Sequence, residues 1–191
     1  LARLQTIFRL VQVAGQGMTL SIADVRRMLN EAGIEPKKSL GQNFVTDPNT
    51  VRRIARLSGV GEGSRVIEIG AGLGSLTLAL LETGASVTAI ETDRTLLPIL
   101  ESTVGDQAKI IEADVRSLAW NEILRTPGWD LVANLPYNIA TNVVLTVLDE
   151  VPAVTRLLVM VQQEAGERIA ASVGDAAYSA VSVRVALRAK A

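Results

Sequence analysis

The feature that most constrains the fold is a regular alternation of short apolar runs with helix-like stretches, which begins near residue 65. The apolar runs have the length of buried strands, and the stretches between them have the length of helical crossovers. Right-handed crossovers bring each strand back beside an earlier one, so the pattern predicts a doubly wound α/β domain with a mostly parallel sheet. The predicted strands are Val66–Ile69, Val87–Ile90, Ile110–Ile111, Leu131–Ala133, Leu157–Val161 and a sixth, Ala180–Leu187.

Helices are predicted both before and within this alternation. Ser21 is a candidate N-cap for a helix over Ile22–Asn30, and Gly33 lies just beyond its end. A second helix begins at Asp47-Pro48-Asn49-Thr50, and its apolar face comprises Val51, Ile54, Ala55 and Leu57. Between the strands, the predicted helices are residues 75–83, 93–104, 119–125, 139–149 and 163–172.

Composition narrows the chemistry that this chain can perform. Its 191 residues, 48% of them hydrophobic, suit one domain with a full core. Cysteine and histidine are absent, which removes disulfides, thiolate nucleophiles, imidazole bases and the usual zinc ligands. No apolar run has the length of a membrane span. We therefore expect a cytoplasmic protein that uses no metal and makes no membrane contact.

The charge is distributed unevenly along the chain. Residues 1–60 hold nine Lys and Arg against four Asp and Glu, whereas residues 61–191 hold ten against sixteen. A basic front on an acidic body is compatible with a surface for nucleic acid. Arg52, Arg53 and Arg56 fall on the polar face of the second helix, where they are either solvated or in contact with phosphates.

A glycine loop joins the first predicted strand to the first crossover helix. Gly70 and Gly72 permit a tight turn and close approach of a ligand, and Gly74 is expected to let the helix pack close to the strand. Glu91 ends the second strand, where a carboxylate can accept both hydroxyls of a ribose. We expect Glu91 to support no part of the core. Dinucleotide enzymes share these features, so the loop alone does not identify the cofactor.

Two further strand ends carry polar residues. Asp114 ends the third strand, where its side chain can meet the amino group of an adenine. Asn134-Leu135-Pro136-Tyr137 follows the fourth strand. The Asn134 oxygen and a neighbouring carbonyl can accept both hydrogens of an exocyclic amine, while Tyr137 lies flat against the ring that bears it. The alternative is an ordinary polar β-turn in which Tyr137 caps the core.

The chain resembles the ribosomal RNA adenine dimethyltransferases from about residue 36 to residue 187. Four motifs, in the same order as in that family, carry the resemblance. The best match is to the enzymes that dimethylate two adjacent adenosines near the 3′ end of small-subunit rRNA. The motifs are Lys37-Lys38-Ser39-Leu40-Gly41-Gln42-Asn43-Phe44, Glu68-Ile69-Gly70-Ala71-Gly72-Leu73-Gly74-Ser75-Leu76-Thr77, Asn134-Leu135-Pro136-Tyr137-Asn138-Ile139 and Met160-Val161-Gln162-Gln163-Glu164.

The resemblance implies a Rossmann-like fold of the S-adenosylmethionine-dependent methyltransferase type, without the C-terminal helical domain of the family. It implies a monomer that acts on small-subunit rRNA within the immature 30S particle. Asn134, Leu135, Pro136 and Tyr137 would hold the target adenine. The cofactor, S-adenosylmethionine, would contact Asn43, Val45, Gly70, Gly72, Glu91, Asp114 and Asn134. Val45 stands where leucine is usual in the family.

The same resemblance divides the chain into three parts. Residues 1–17 match nothing expected and are interpreted as vector-derived or disordered, residues 18–60 as N-terminal helices with a basic arm, and residues 61–191 as the cofactor-binding domain. Alternatives are a macrolide-resistance methyltransferase acting on large-subunit (23S) rRNA, and a non-catalytic ribosome-assembly factor with the same fold. A small-molecule methyltransferase is a further alternative, against which the Asn-Leu-Pro-Tyr motif and the basic front argue.

Overall fold

Parallel strands form the centre of the molecule in the computed structural model, which describes residues 19–34 and 47–191. The strands are β1 Arg65–Ile69, β2 Ser86–Glu91, β3 Ala108–Glu112, β4 Trp129–Asn134 and β5 Val154–Met160. They form one sheet in the order β3-β2-β1-β4-β5, and every pairing is parallel. The chain winds outward from β1 to β3 and then crosses back to continue with β4 and β5. The predicted doubly wound sheet is confirmed.

The register brings the carboxyl ends of the three central strands to one level. Ile69, the last residue of β1, pairs with Ile90 of β2 on one side and with Ala133 of β4 on the other. The next residues, Gly70, Glu91 and Asn134, therefore leave the sheet side by side.

Helices cover both faces of the sheet. One apolar cluster joins Ile67, Ile69 and Leu131 to the longest helix, and another joins Val66 and Val132 to helices on the opposite face. Burial on both faces is the reason that the central strands are nearly continuous apolar runs. The helices are α1 Ile22–Ala32, α2 Pro48–Ser58, α3 Ser75–Leu81, α4 Leu97–Val104, α5 Trp120–Ile123, α6 Tyr137–Glu150, α7 Gln163–Ala170 and α8 Ala180–Ala186.

The first two helices begin where the sequence predicted. The Ser21 hydroxyl accepts a hydrogen bond from the Asp24 N–H, and Asp24 accepts one from the Ser21 N–H, forming a capping box. Asp47 accepts hydrogen bonds from the first-turn N–H groups of α2. Leu57 is 65% exposed, however, so its assignment to the apolar face of α2 was wrong.

The predicted sixth strand is wrong, because residues 180–186 form helix α8. Val181, Val183 and Val185 alternate with small or polar residues, a pattern typical of a strand with one buried face. In the structure the buried residues are instead Ser182 and Val185, three positions apart, and Val183 is 40% exposed.

Local hydrogen bonds explain why this segment is helical. The Ser182 hydroxyl accepts a hydrogen bond from the Ser179 N–H at 3.1 Å and donates one to the Arg168 carbonyl at 2.7 Å, which ties the start of α8 to α7. An alternating segment forms a strand only where a sheet edge supplies partners for its backbone, whereas a helix satisfies those groups internally. Among the described residues, no helix is long and apolar enough to cross a membrane.

Gly74, at the start of α3, provides clearance for helix α4. It has φ +91°, and a Cβ placed there would lie 3.1 Å from both Leu100 Cδ1 and Val104 Cγ1 of α4. These contacts do not test the expectation that Gly74 lets its helix approach β1, which stays a prediction. The close approach is between the glycine loop and α4.

We expect Gly74→Ala to destabilise the fold far more than Gly33→Ala, the matched control. Both glycines are left-handed, but Gly33 has nothing within 4 Å of the added Cβ. Strain alone predicts a loss of about 1–2 kcal/mol at Gly33, and added crowding predicts about 2–4 kcal/mol at Gly74. Urea denaturation of both variants measures the difference. Equal losses would show that contact with α4 does not restrict position 74.

Candidate active site

A cavity of about 1000 Å³ opens at the carboxyl edge of the sheet, over the point where the strand order reverses between β1 and β4. Doubly wound sheets bind ligands at this switch point. The cavity is lined by the ends of β1, β2, β4 and β5 and by the turn after β3. The lining residues that the sequence predicted are Gly70, Gly72, Glu91, Asp114, Asn134, Leu135, Pro136 and Tyr137.

The glycine loop is held against the end of β2 by backbone hydrogen bonds. The Gly70 and Ala71 N–H groups both donate to the Ile90 carbonyl, at 2.9 and 3.2 Å. Gly70 has φ +75° and Gly72 has φ +60°, conformations that favour glycine. A Cβ on Gly70 would come within 3.9 Å of the Asn134 carbonyl, so the loop passes directly over the end of β4.

The Glu91 carboxylate also holds the loop. It is 5% exposed, and it accepts hydrogen bonds from the N–H groups of Gly72 at 2.7 Å and of Thr92 and Asp93 at 2.8 Å. The expectation that Glu91 supports no part of the fold was therefore wrong. A carboxylate has about four acceptor positions, so one position remains for a ligand.

Asp114 lies on the cavity wall, where it is engaged by a neighbour. Its two carboxylate oxygens accept hydrogen bonds from the Arg116 guanidinium, the shortest 2.6 Å from Nη2 to Oδ2. Its Oδ1 also accepts one from the Arg116 N–H, which caps the 3₁₀ turn that follows β3. These hydrogen bonds hold the pKa of Asp114 below its usual value. Sequence reasoning missed Arg116, since an arginine two residues after an acid carries no distinctive signal.

The four residues after Ala133 convert a strand into a helix. Asn134 is the last residue of β4, and the Leu135 N–H donates to the Met160 carbonyl of β5 at 2.9 Å. Pro136, with φ −64°, is the N-cap of α6. Tyr137 begins that helix and is 57% exposed at the cavity mouth. The alternative in which Tyr137 caps the core is therefore wrong.

Glu68 is a second cavity residue whose role the sequence did not reveal. It is 1% exposed, and its Oε2 accepts a hydrogen bond from the Thr77 hydroxyl at 2.6 Å. An acid inside the run Val66-Ile67-Glu68-Ile69 was an available signal, because a charge between buried apolar residues requires a reason. The remaining predicted contacts, Asn43 and Val45, lie outside the described residues.

The donors and acceptors of the cavity suit a nucleoside ligand. Glu91 offers a carboxylate at the end of β2, the glycine loop leaves room for close approach, and Asp114 offers a second carboxylate at the next strand end. Within residues 19–34 and 47–191, no group of three or more acidic side chains is placed to hold a metal ion.

The family model described as ribosomal RNA adenine dimethylase matches residues 33–190. The chain belongs to the ribosomal RNA adenine dimethylase family. Ribosomal RNA small subunit methyltransferase A of Bifidobacterium longum (strain DJO10A) is 43% identical over 184 residues, which cover 91% of this chain and 60% of that protein. Its counterpart in Thermobifida fusca (strain YX) is 48% identical over 174 residues, covering 87% and 60%. This dimethylase-family chain thus spans about 60% of the length of these relatives.

Solved structures agree with the family assignment. A dimethyladenosine transferase from Plasmodium falciparum superimposes with a TM-score of 0.63 at 26% identity, covering 74% of this chain and 51% of that one. The 23S rRNA methyltransferase ErmE superimposes with a TM-score of 0.58 at 25% identity, covering 67% and 51%. The predicted methyltransferase-type fold is confirmed.

In this dimethylase-family site, we expect Glu91→Ala to lower the stability of the fold, in addition to removing any contact between Glu91 and a ligand. Three N–H groups would lose their acceptor, which predicts a loss of about 2–4 kcal/mol in the free energy of unfolding. Glu112→Ala is the matched control, because Glu112 pairs with Glu91 in register but is exposed, and the partner of its side chain among the described residues is Arg94. The control should lose less than about 1 kcal/mol. Chemical denaturation of the ligand-free variants checks this, and equal stabilities would contradict a supporting role for Glu91.

Proposed function

We propose that this chain carries the methyl-transfer domain of an enzyme that dimethylates N6 of two adjacent adenosines near the 3′ end of small-subunit rRNA. One observation carries the proposal: Asn134 and the glycine loop meet at the carboxyl edge of the sheet in a chain of the adenine dimethylase family. The relatives with 43% and 48% identity, named small subunit methyltransferases, support this choice of substrate. Such a substrate implies action in the cytoplasm, on the immature 30S particle.

The proposed cofactor is S-adenosylmethionine, which would supply an electrophilic methyl group on a positively charged sulfur. Glu91 would accept hydrogen bonds from the ribose with the acceptor capacity that its backbone partners leave. Gly70 and Gly72 would pass close beneath the ligand because they lack side chains. Asp114 would accept a hydrogen bond from the adenine amino group. This requires that Arg116 either leave one acceptor position of the carboxylate open or give up one of its hydrogen bonds to it. Asn43 and Val45 complete the proposed set.

Asn134 and Leu135 would prepare the target amine for attack. The nitrogen lone pair of an adenine N6 is delocalised into the ring, so the free amine is a poor nucleophile. Two acceptors, the Asn134 amide oxygen and the Leu135 carbonyl, would favour the pyramidal form in which the lone pair points at the methyl group. The Leu135 peptide is held on both sides, by the hydrogen bond to Met160 and by the fixed φ of Pro136.

Tyr137 would hold the base in place by stacking. An adenine that leaves its own stack loses a few kcal/mol. Stacking on an aromatic ring returns roughly 1–3 kcal/mol, and the Tyr137 ring is exposed at the cavity mouth. After methyl transfer the nitrogen becomes acidic and loses its proton readily, so the reaction needs no imidazole base from a chain that contains no histidine.

The two alternatives that involve the ribosome are weaker. A large-subunit enzyme is not favoured, because the 23S rRNA methyltransferase ErmE is 25% identical while the small-subunit relatives reach 48%. The presence of Glu91, Asp114 and Asn134 together around one cavity argues against a non-catalytic assembly factor. The test is methylation of immature small subunits and of 23S rRNA by the same preparation, mapped by primer extension. Methylation of 23S rRNA alone would overturn the proposal.

Variants at Asn134 and Tyr137 test the division of labour within the site. Tyr137→Phe keeps the ring and should retain most activity, whereas Tyr137→Ala should lower turnover severely because the base is no longer held. Asn134→Ala should lose about 10²–10³-fold in rate, the typical cost of one directed transition-state hydrogen bond. Single-turnover methylation of immature small subunits measures all three. If Tyr137→Phe were as inactive as Tyr137→Ala, activity would depend on the Tyr137 hydroxyl and not on stacking against its ring.

Exposed arginines of α2 provide a test of RNA contact. Arg52 bonds to Glu82, but Arg53 and Arg56 are exposed. If they meet phosphates, Arg53→Gln with Arg56→Gln should weaken RNA binding at every sequence and reduce the slope of log K against log salt by about 1–2. Arg125→Gln, at an exposed arginine of the turn before β4, is the control and should leave the slope unchanged. Binding titrations over a salt series give the slope, and an unchanged slope in the double variant would assign both arginines to solvent.

A further inference from the structure

Three polar side chains from adjacent strands lie on one face of the sheet beside the cavity. Alternate residues of a strand point to the same face. Val66, Val87 and Val132 pack in one apolar cluster with α2 and α3, so Glu68, Glu91 and Asn134 emerge on that same face at the carboxyl edge. All three line the cavity.

The two carboxyl groups of this set have opposite surroundings. Glu91 accepts three hydrogen bonds from backbone N–H groups. Glu68 has Thr77 as its hydrogen-bond partner and has no ion pair with any residue in the described part of the chain. Burial raises the pKa of Glu68 to about 7, to which repulsion from Glu91 adds, while the Thr77 hydrogen bond acts in the opposite direction.

Among the described residues, no cation contributes to the pKa shift of Glu68, and Arg116, the cation in the described lining of the cavity, is hydrogen-bonded to Asp114. Of the elements around it, β2 presents Glu91, α3 presents the neutral Thr77 and β4 presents the neutral Asn134. A buried carboxyl group in such surroundings carries its proton at slightly acid pH and gives it up when a positive charge arrives nearby. The cavity that it lines is the place from which such a charge can come.

We propose that Glu68 is the residue by which the site distinguishes the positively charged methyl donor from its neutral product, S-adenosylhomocysteine. The inference rests on the proposed function, since it takes S-adenosylmethionine as the ligand of this cavity. The two ligands differ by the methyl group and by the charge on sulfur. An ionised Glu68 favours the charged ligand, whereas a protonated Glu68 makes no such distinction.

The consequence is a pH-dependent selectivity with a definite sign. At pH 5.5 Glu68 is protonated in the free site, and donor binding must displace a proton to gain the attraction. At pH 7.5 the carboxylate is already largely ionised, so the affinity for the donor rises relative to the affinity for the product. If the sulfonium lowers the pKa of Glu68 by a half to one unit from about 7, the ratio of donor affinity to product affinity rises about two- to sixfold over this range.

Calorimetric titration of the whole chain with S-adenosylmethionine and S-adenosylhomocysteine, at pH 5.5 and 7.5, measures the ratio. Buffers of different ionisation enthalpy give the protons released on binding. We expect the wild-type protein to release a larger fraction of a proton with the donor than with the product near pH 7. In Glu68→Gln, which keeps shape and the Thr77 contact, the ratio should not change with pH. Titration of the ligands' own amino groups is common to both proteins and cancels in the comparison.

A second variant keeps the test open if Glu68→Gln does not fold. Thr77→Val removes the hydrogen bond that lowers the pKa of Glu68, so the pH at which selectivity appears should move upward. A ratio that is independent of pH in the wild type, or that varies equally in wild type and Glu68→Gln, would overturn the role of Glu68 and leave the proposed function standing. Failure of the wild type to bind either ligand would overturn both.

Discussion

The whole site depends on hydrogen bonds that converge on the last two residues of β2. The Ile90 carbonyl accepts two N–H groups from the glycine loop, and the Glu91 carboxylate accepts a third from Gly72. Backbone groups of a loop must find partners, and here the neighbouring strand provides them. The loop thereby takes a shape that only glycine allows at φ +75° and +60°, and the cavity exists because of that shape. The carboxylate that we propose as a ligand of the ribose therefore also supports the loop.

The register of the parallel strands explains how a few residues can line the cavity from three strands at once. Because Ile69, Ile90 and Ala133 are paired across three strands, the residues that follow them reach the cavity at one height. The sheet gives each of these side chains a rigid base, which is where precise positioning is most readily achieved. The arrangement has an energetic cost, because the Glu68 carboxyl group is buried in the same apolar layer. A buried acid of this kind is the sort of local disadvantage that marks functional sites.

The four residues that lead from β4 to α6 end a strand, fix a turn and begin a helix. Asn134 ends the strand, Leu135 is anchored to β5, and Pro136 turns the chain so that Tyr137 starts a helix with its ring outside. An exposed ring and an amide on opposite sides of a fixed turn suit a planar ligand held by its face and its edge. These roles are proposals, and the variants at Asn134 and Tyr137 separate them.

Local pattern by itself determined the five strands of the sheet, the two N-terminal caps and the strand-end residues Glu91, Asp114 and Asn134 of the cavity, because turn chemistry and hydrophobic period act over a few residues. Tertiary structure decided what that pattern leaves open. Residues 180–186 alternate like a strand, yet they are a helix, since their backbone bonds are internal and Ser182 ties them to α7. Gly74 gives clearance to α4, Glu91 supports a loop, and Glu68 is buried with no ion-pair partner in the part of the chain that the structure describes. Each of these contacts joins segments that are distant in sequence, so only the folded chain brings them together.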